Sequence, residues 1–198
     1  MGTRNGLFLF HEAENGRRVD EPLLPGWSEM GRAKAAAGSL LFLVVAPGVV
    51  AGLVPWWITG WDIREPLPNW IFVRVAGGLV LVAGVAVLVQ AFARFVVEGA
   101  GTPAPVAPTE RLVVGGHYRY VRNPMYLAVA GTIVGQALVL GQLALLLYAG
   151  AFVAVVAAFV YGYEEPTLRR RYGEQYERYR RTVPGWWPRR PRPDEPAG

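Results

Sequence analysis

Two short polar stretches hold the residue types that could do chemistry, and each abuts an apolar run. The first is Gly115-Gly116-His117-Tyr118-Arg119-Tyr120-Val121-Arg122-Asn123-Pro124-Met125-Tyr126; the second is Glu164-Glu165-Pro166. Arg122-Asn123-Pro124 makes a rigid corner. Pro124 suits a first helical position, where an anion is welcome, and Arg122 adds a planar cation that can grip a carboxylate bidentately. Adjacent carboxylates beside an apolar run are costly unless each finds a cation or donors. Complementing a helix N-terminus accounts for one of them. Neighbours on a helix point about 100° apart, so the other should face the bundle near Arg122. There it could hold a cationic ligand, position an amine or accept a proton. An anchoring arginine paired with a glutamate explains the same residues without a ligand, and residue chemistry alone leaves both readings open. His117 with two glutamates is a thin metal site, since zinc usually takes three or four protein ligands, and no metal is expected. The chain has no cysteine, which excludes thiolate catalysis and disulfides.

What must position these residues is a set of apolar segments. Of 198 residues, 53% are hydrophobic and only 18% charged, and the apolar ones lie in blocks. Spans are expected at about 33–55, 70–95, 125–140 and 143–163; the first two are long enough to cross a bilayer, and the last two are short, a hairpin that only just crosses. Pro47-Gly48 should kink the first, and Arg74 should snorkel outward from the second. Trp56, Trp57, Trp61 and Trp70 mark one membrane interface. Gly77, Gly84 and Ala91 offer a small-residue stripe on the second span. Gly131 and Gly135, and the ladder Gly150, Ala154, Ala158 and Gly162, suggest that the last two spans pack backbone to backbone. The linker Val96–Thr109, rich in Gly and Pro, reads as irregular, a flexible loop or a cover over a site. Leu168, Tyr172, Tyr176, Tyr179 and Val183 recur at helical spacing over about 164–183. They predict an amphipathic interfacial helix, aromatic side to lipid or protein and arginines to headgroups. The expected fold is therefore all-α: a polytopic membrane bundle of about four spans with a C-terminal interfacial helix. Residues 1–32 form a polar N-terminal tail, 33–188 the membrane domain, and 189–198 a disordered Pro/Arg tail.

The net charge of +5 comes almost wholly from arginine, Lys34 being the sole lysine. Anionic lipid headgroups are the simplest partner for it, and no nucleic-acid motif accompanies the arginines. Arginine is sparse in the loop holding Arg64 and dense in the tails and in Arg94–Arg122. The positive-inside rule then puts both termini and both polar stretches in the cytoplasm. No secretory signal is expected in residues 1–32. Abundant Ala, Val, Gly and Arg suggest a GC-rich bacterial source, hence a plasma (inner) membrane. Oligomeric state has no signature.

The ordered elements His117-Tyr118-x3-Arg122-Asn123-Pro124-x-Tyr126, an apolar hairpin, Glu164-Glu165, then Tyr172-Gly173-x2-Tyr176-x2-Tyr179-x3-Val183-Pro184 resemble a known family. They are similar to the integral-membrane methyltransferases of the isoprenylcysteine carboxyl methyltransferase and phospholipid methyltransferase superfamily. The resemblance covers about Glu110–Pro188 and implies S-adenosylmethionine as methyl donor, with a lipophilic acceptor such as a lipid or isoprenoid. By that resemblance Tyr118, Arg122, Pro124 and Tyr126 help form the cofactor pocket, and Glu164 and Glu165 contact the cofactor. Arg122 and Glu165 are then the expected catalytic pair, with His117 and Asn123 completing the binding set. Asn123 departs from the family's usual histidine; it can hydrogen-bond but cannot titrate near neutral pH, and His117 is the nearest replacement. An NADPH-dependent membrane reductase of the sterol reductase type shares parts of this pattern, although the paired glutamates favour the methyltransferase. A non-catalytic scaffold would use the glycines and the basic helix, but needs no clustering of Glu165 with Arg122.

Overall fold

The computed structural model describes residues 45–98 and 112–190. The expected N-terminal tail, the start of the first span, most of the Gly/Pro linker and residues 191–198 lie outside them. Among the described residues every regular element is helical. Helix α1 (Val45–Thr59) is followed by α2 (Ile71–Glu98), a 3-10 turn (Gly116–Arg119), α3 (Pro124–Leu140) and α4 (Leu143–Phe159). Helix α4 runs through a π-helical turn (Val160–Glu164) into α5 (Glu165–Tyr172), and α6 (Glu174–Thr182) follows.

Two helical runs, Ile71–Arg94 and Leu143–Tyr172, are long and apolar enough to cross a membrane; α1 and α3 are shorter apolar helices. Their outer faces carry bulky apolar side chains that the described residues leave exposed: Phe72 is 76% exposed and Leu147 80%. Water would penalise such a surface at roughly 25 cal/mol per Å², whereas acyl chains cover it without cost. This is a membrane protein.

Helix α1 runs past the expected end at residue 55 and takes in Trp56 and Trp57. Pro55 has no N–H to give the carbonyls of Val50 and Ala51, and the helix widens to π geometry over Val49–Leu53. Tyr148 Oη donates to Val50 O at 2.8 Å and Gln136 Nε2 to Ala51 O at 2.6 Å. Side chains of α3 and α4 thus supply the donors that proline lacks, fastening α1 to the hairpin.

The tightest helix contact differs from the one the glycines of the last two spans suggested. A Cβ on Gly135 would meet the Leu81 backbone of α2, whereas Gly131, Gly150 and Gly162 face open space. Gly77 and Gly84 of α2 lie against Leu138 and Thr132 of α3, and Ala91 of the same stripe is fully buried. Small residues permit close approach without choosing the partner, and the α2 stripe supplies the matching groove. Helices α3 and α4 meet instead through Ile133, Ala137, Leu145 and Ala149, after a turn at Gly141 whose φ of +67° suits glycine. Arg74 reaches outward as expected, its Nε donating to Val139 O at 2.9 Å. Gln142 donates to Asp62 O across the same end, so the 60–70 loop covers the hairpin turn and leaves the other end to the polar stretches. Of the linker, Val96–Glu98 continue α2.

Candidate functional site

Gly116, at φ +58°, turns the chain into the 3-10 segment, and the Arg94 side chain lies over its backbone, where a Cβ would crowd Nε at 3.2 Å. Tyr118 is thereby buried and Val121 packed inward before the Arg122–Pro124 corner. Pro124 opens α3, as the sequence predicts, with Asn123 as its N-cap residue. The Asn123 side chain makes no cap bond. Its Nδ2 donates to Gly185 O at 3.1 Å, and Arg122 N–H donates to Pro184 O at 2.9 Å. The chain beyond α6 is thus stitched to the corner, and Arg189 N–H continues the stitching onto Tyr120 O at 3.0 Å.

Across the hairpin the two glutamates diverge as neighbours on a helix must. Glu165, 6% exposed, places Oε1 3.0 Å from Arg122 Nη2 and Oε2 3.5 Å from Arg180 Nε. Glu164 accepts a 2.9 Å hydrogen bond from Tyr126 Oη on Oε2 and, among the described residues, has no ion pair. Arg122 Nη1 also donates to Tyr176 Oη at 3.3 Å, while Arg122 Nε is buried without a hydrogen-bond partner among the described residues.

A cavity of about 550 Å³ joins this charged cluster to an apolar flank. Its polar end is bordered by Tyr118, Arg122, Asn123, Tyr126, Glu164, Glu165, Tyr176 and Tyr179. Its other end is bordered by Ala46, Pro47 and Val50 of α1, Leu88 and Phe92 of α2, Val129 of α3, and Phe152 and Phe159 of α4. The volume falls within the roughly 300–1,000 Å³ of small-molecule sites. Burial pushes the phenols of Tyr118, Tyr176 and Tyr179 above their ordinary range; the Arg122 guanidinium opposes the shift at Tyr176 and Tyr179. All three therefore stay neutral at physiological pH, offering hydroxyl donors and oxygen lone pairs.

Residues 72–175 match the phospholipid methyltransferase family, which is more than half the chain. The chain belongs to the phospholipid methyltransferase family. No curated protein is a significant match to it. Membership makes the chain a membrane methyltransferase, and the matched segment runs from α2 through α5 into α6.

Of the site residues expected from sequence, Tyr118, Arg122, Asn123, Pro124, Tyr126, Glu164 and Glu165 all border the cavity of this family member. His117 does not. It lies in the 3-10 turn, with its carbonyl accepting from Tyr120 N–H and its Nδ1 buried without a partner among the described residues. The interfacial helix departs from the sequence reading in one respect: it breaks at Gly173 (φ +53°). Of the two directions the sequence left open for its aromatic side, Tyr176 of α6, 3% exposed, takes the one onto the protein, at the site. Tyr176 and Tyr179, whose face the sequence left open between lipid and protein, are thus site-forming residues, and Arg180 is one the sequence did not single out. The signal was present in residue type, since phenol hydroxyls on an apolar face need partners, and Tyr179 Oη finds Tyr118 O at 2.7 Å.

Proposed function

We propose that the protein transfers a methyl group from S-adenosylmethionine to a lipophilic acceptor at the cytoplasmic face of the membrane. The observation that carries this reading is the single cavity running from a charged, tyrosine-rich end to an apolar flank among α1, α2 and α4. The donor's chemistry fits the polar end. Glu164, a half-buried carboxylate with no arginine partner among the described residues, would hold the sulfonium, and the Nε of Arg122, buried without a hydrogen-bond partner among those residues, would hold the donor's carboxylate. The bound cofactor would supply an activated methyl group, and no protein-bound intermediate is required. Arg122 and Glu165 act as a mutually neutralised wall that fixes the corner, while Tyr118, Tyr126, Tyr176 and Tyr179 orient the donor by hydroxyl contacts. The residues of the apolar flank exclude water and receive a hydrocarbon chain. Catalysis in such a site is alignment plus electrostatics.

The site lies at the helix ends that also carry Arg94, Arg119, Arg169–Arg171, Arg178, Arg181 and Arg190, whereas the opposite end offers Arg64 and Arg74. That asymmetry supports a cytoplasmic site facing anionic headgroups, in a four-span chain within a bacterial plasma membrane. The acceptor class we propose is lipid or isoprenoid.

Ligand binding to the purified protein in detergent tests the reading. S-adenosylhomocysteine should raise the melting temperature and NADPH should not. The reverse result would favour the reductase, and no shift with either a scaffold. Mass spectrometry of membrane lipids with and without the protein should show an added methyl group in one lipid class.

A further inference from the structure

The adjacent glutamates stand in different electrostatic surroundings. Glu165 has both carboxylate oxygens in ion pairs, one with Arg122 at the start of α3 and one with Arg180 of α6. The linkage continues outward, with Glu177 3.9 Å from Arg180 and 2.9 Å from Arg169 of α5. Tyr176, four residues before Arg180 and on the same helical face, borders the cavity, as does Tyr179. What Arg180 holds in place is therefore a wall of the site. Glu164, by contrast, is held among the described residues by the Tyr126 hydroxyl alone and lies against the same cavity.

We propose that Arg180 is a positioning residue: by sharing Glu165 with Arg122 it latches α6 across the cavity, leaving Glu164 as the carboxylate that meets the donor's cationic centre. The cofactor part of this inference rests on the proposed function; the latch does not. The physical reason is charge balance. A buried carboxylate between two guanidinium groups is compensated and attracts a further cation weakly, whereas one held by a neutral phenol keeps its charge available to a ligand. Arg180 is 40% exposed along its side chain, so its pair with Glu165 is anchored mainly by the burial of the carboxylate. The Gly173 break, at φ +53° and ψ −125°, is the joint across which the latch acts.

A double-mutant cycle tests it, using Glu165→Gln, Arg180→Gln and the pair, with Arg180→Lys as the conservative control. Without ligand, Arg180→Gln should increase protease cleavage near Gly173 about tenfold, Glu165→Gln should increase it at least as much because it also unpairs Arg122, and the double variant should be no worse than Glu165→Gln. With S-adenosylhomocysteine, Arg180→Gln should raise the dissociation constant about tenfold and act mainly on KM for the donor, and Arg180→Lys should recover most of the loss. Glu164→Gln should weaken S-adenosylmethionine binding at least as much, and S-adenosylhomocysteine binding less because its sulfur is uncharged, with protease sensitivity unchanged. Additive effects of the Glu165 and Arg180 changes, or a silent Arg180→Gln, would overturn the latch. Coupled protease sensitivity in a wild-type protein that binds no S-adenosylhomocysteine would uphold the latch and remove the cofactor assignment.

Discussion

The Tyr126 hydroxyl donates to Glu164 Oε2 at 2.9 Å, joining the first turn of α3 to the π-helical turn that ends α4. The two residues stand 38 positions apart, yet the hairpin returns the chain to its starting level. The bond also orients the carboxylate that has no arginine partner among the described residues. Tyr126→Phe should leave the fold intact and weaken S-adenosylmethionine binding by about 1.5–3 kcal/mol, the range for a hydrogen bond to a charged group. Calorimetric titration checks this, and unaltered affinity would remove Glu164 orientation from the account.

Glu164→Gln keeps shape and hydrogen bonding while removing the charge. Donor affinity should fall at least about tenfold, or ~1.4 kcal/mol, with little change in melting temperature. Arg122→Ala is expected to behave differently. It would leave Glu165 buried with only the more exposed Arg180, and should cost about 3–5 kcal/mol of stability. Thermal unfolding in detergent separates the two.

Asn123 stands where titration is impossible, and its side chain fastens Gly185 O. Asn123→Ala should loosen the chain beyond α6, costing about 0.5–1.5 kcal/mol because the half-buried Gly185 carbonyl loses its donor. Hydrogen exchange at residues 183–189 is the readout. Unchanged exchange there would show that Arg122 N–H to Pro184 O suffices.

Two glycines of one helix should respond oppositely. Gly135→Ala would drive a Cβ into the Leu81 backbone of α2 and should destabilise by about 1–3 kcal/mol. Gly131→Ala meets open space and should be neutral. Equal effects would place the α2–α3 contact elsewhere.

Alkaline pH should strain the site end. Tyrosines released on unfolding ionise near their ordinary pKa of about 10, whereas burial raises Tyr118, Tyr176 and Tyr179. Between those values the unfolded chain binds fewer protons. Stability from these phenols is therefore complete below about pH 10 and falls as pH rises toward the folded values. Ultraviolet titration should show a late-ionising subset among the nine tyrosines, and its ionisation should coincide with unfolding.

The sequence by itself determined the helical class, the apolar segments of α2 to α4, the Pro124 helix start and the identity of both polar stretches. These follow from local composition and periodicity. Helical geometry also foretold that Glu164 and Glu165 would diverge, with one of them reaching Arg122. Tertiary structure alone decided which glycines carry a helix contact. Gly135 serves α2 while Gly150 and Gly162 face open space, because a small residue admits any backbone and only a matching groove selects one. It also decided that α6 folds over the site, not along lipid, and that His117 lies outside the cavity lining. An aromatic stripe fits lipid and protein equally well by periodicity; here hydrogen bonds to Arg122 and to the Tyr118 carbonyl fix its direction, and those partners are more than fifty residues away in the chain.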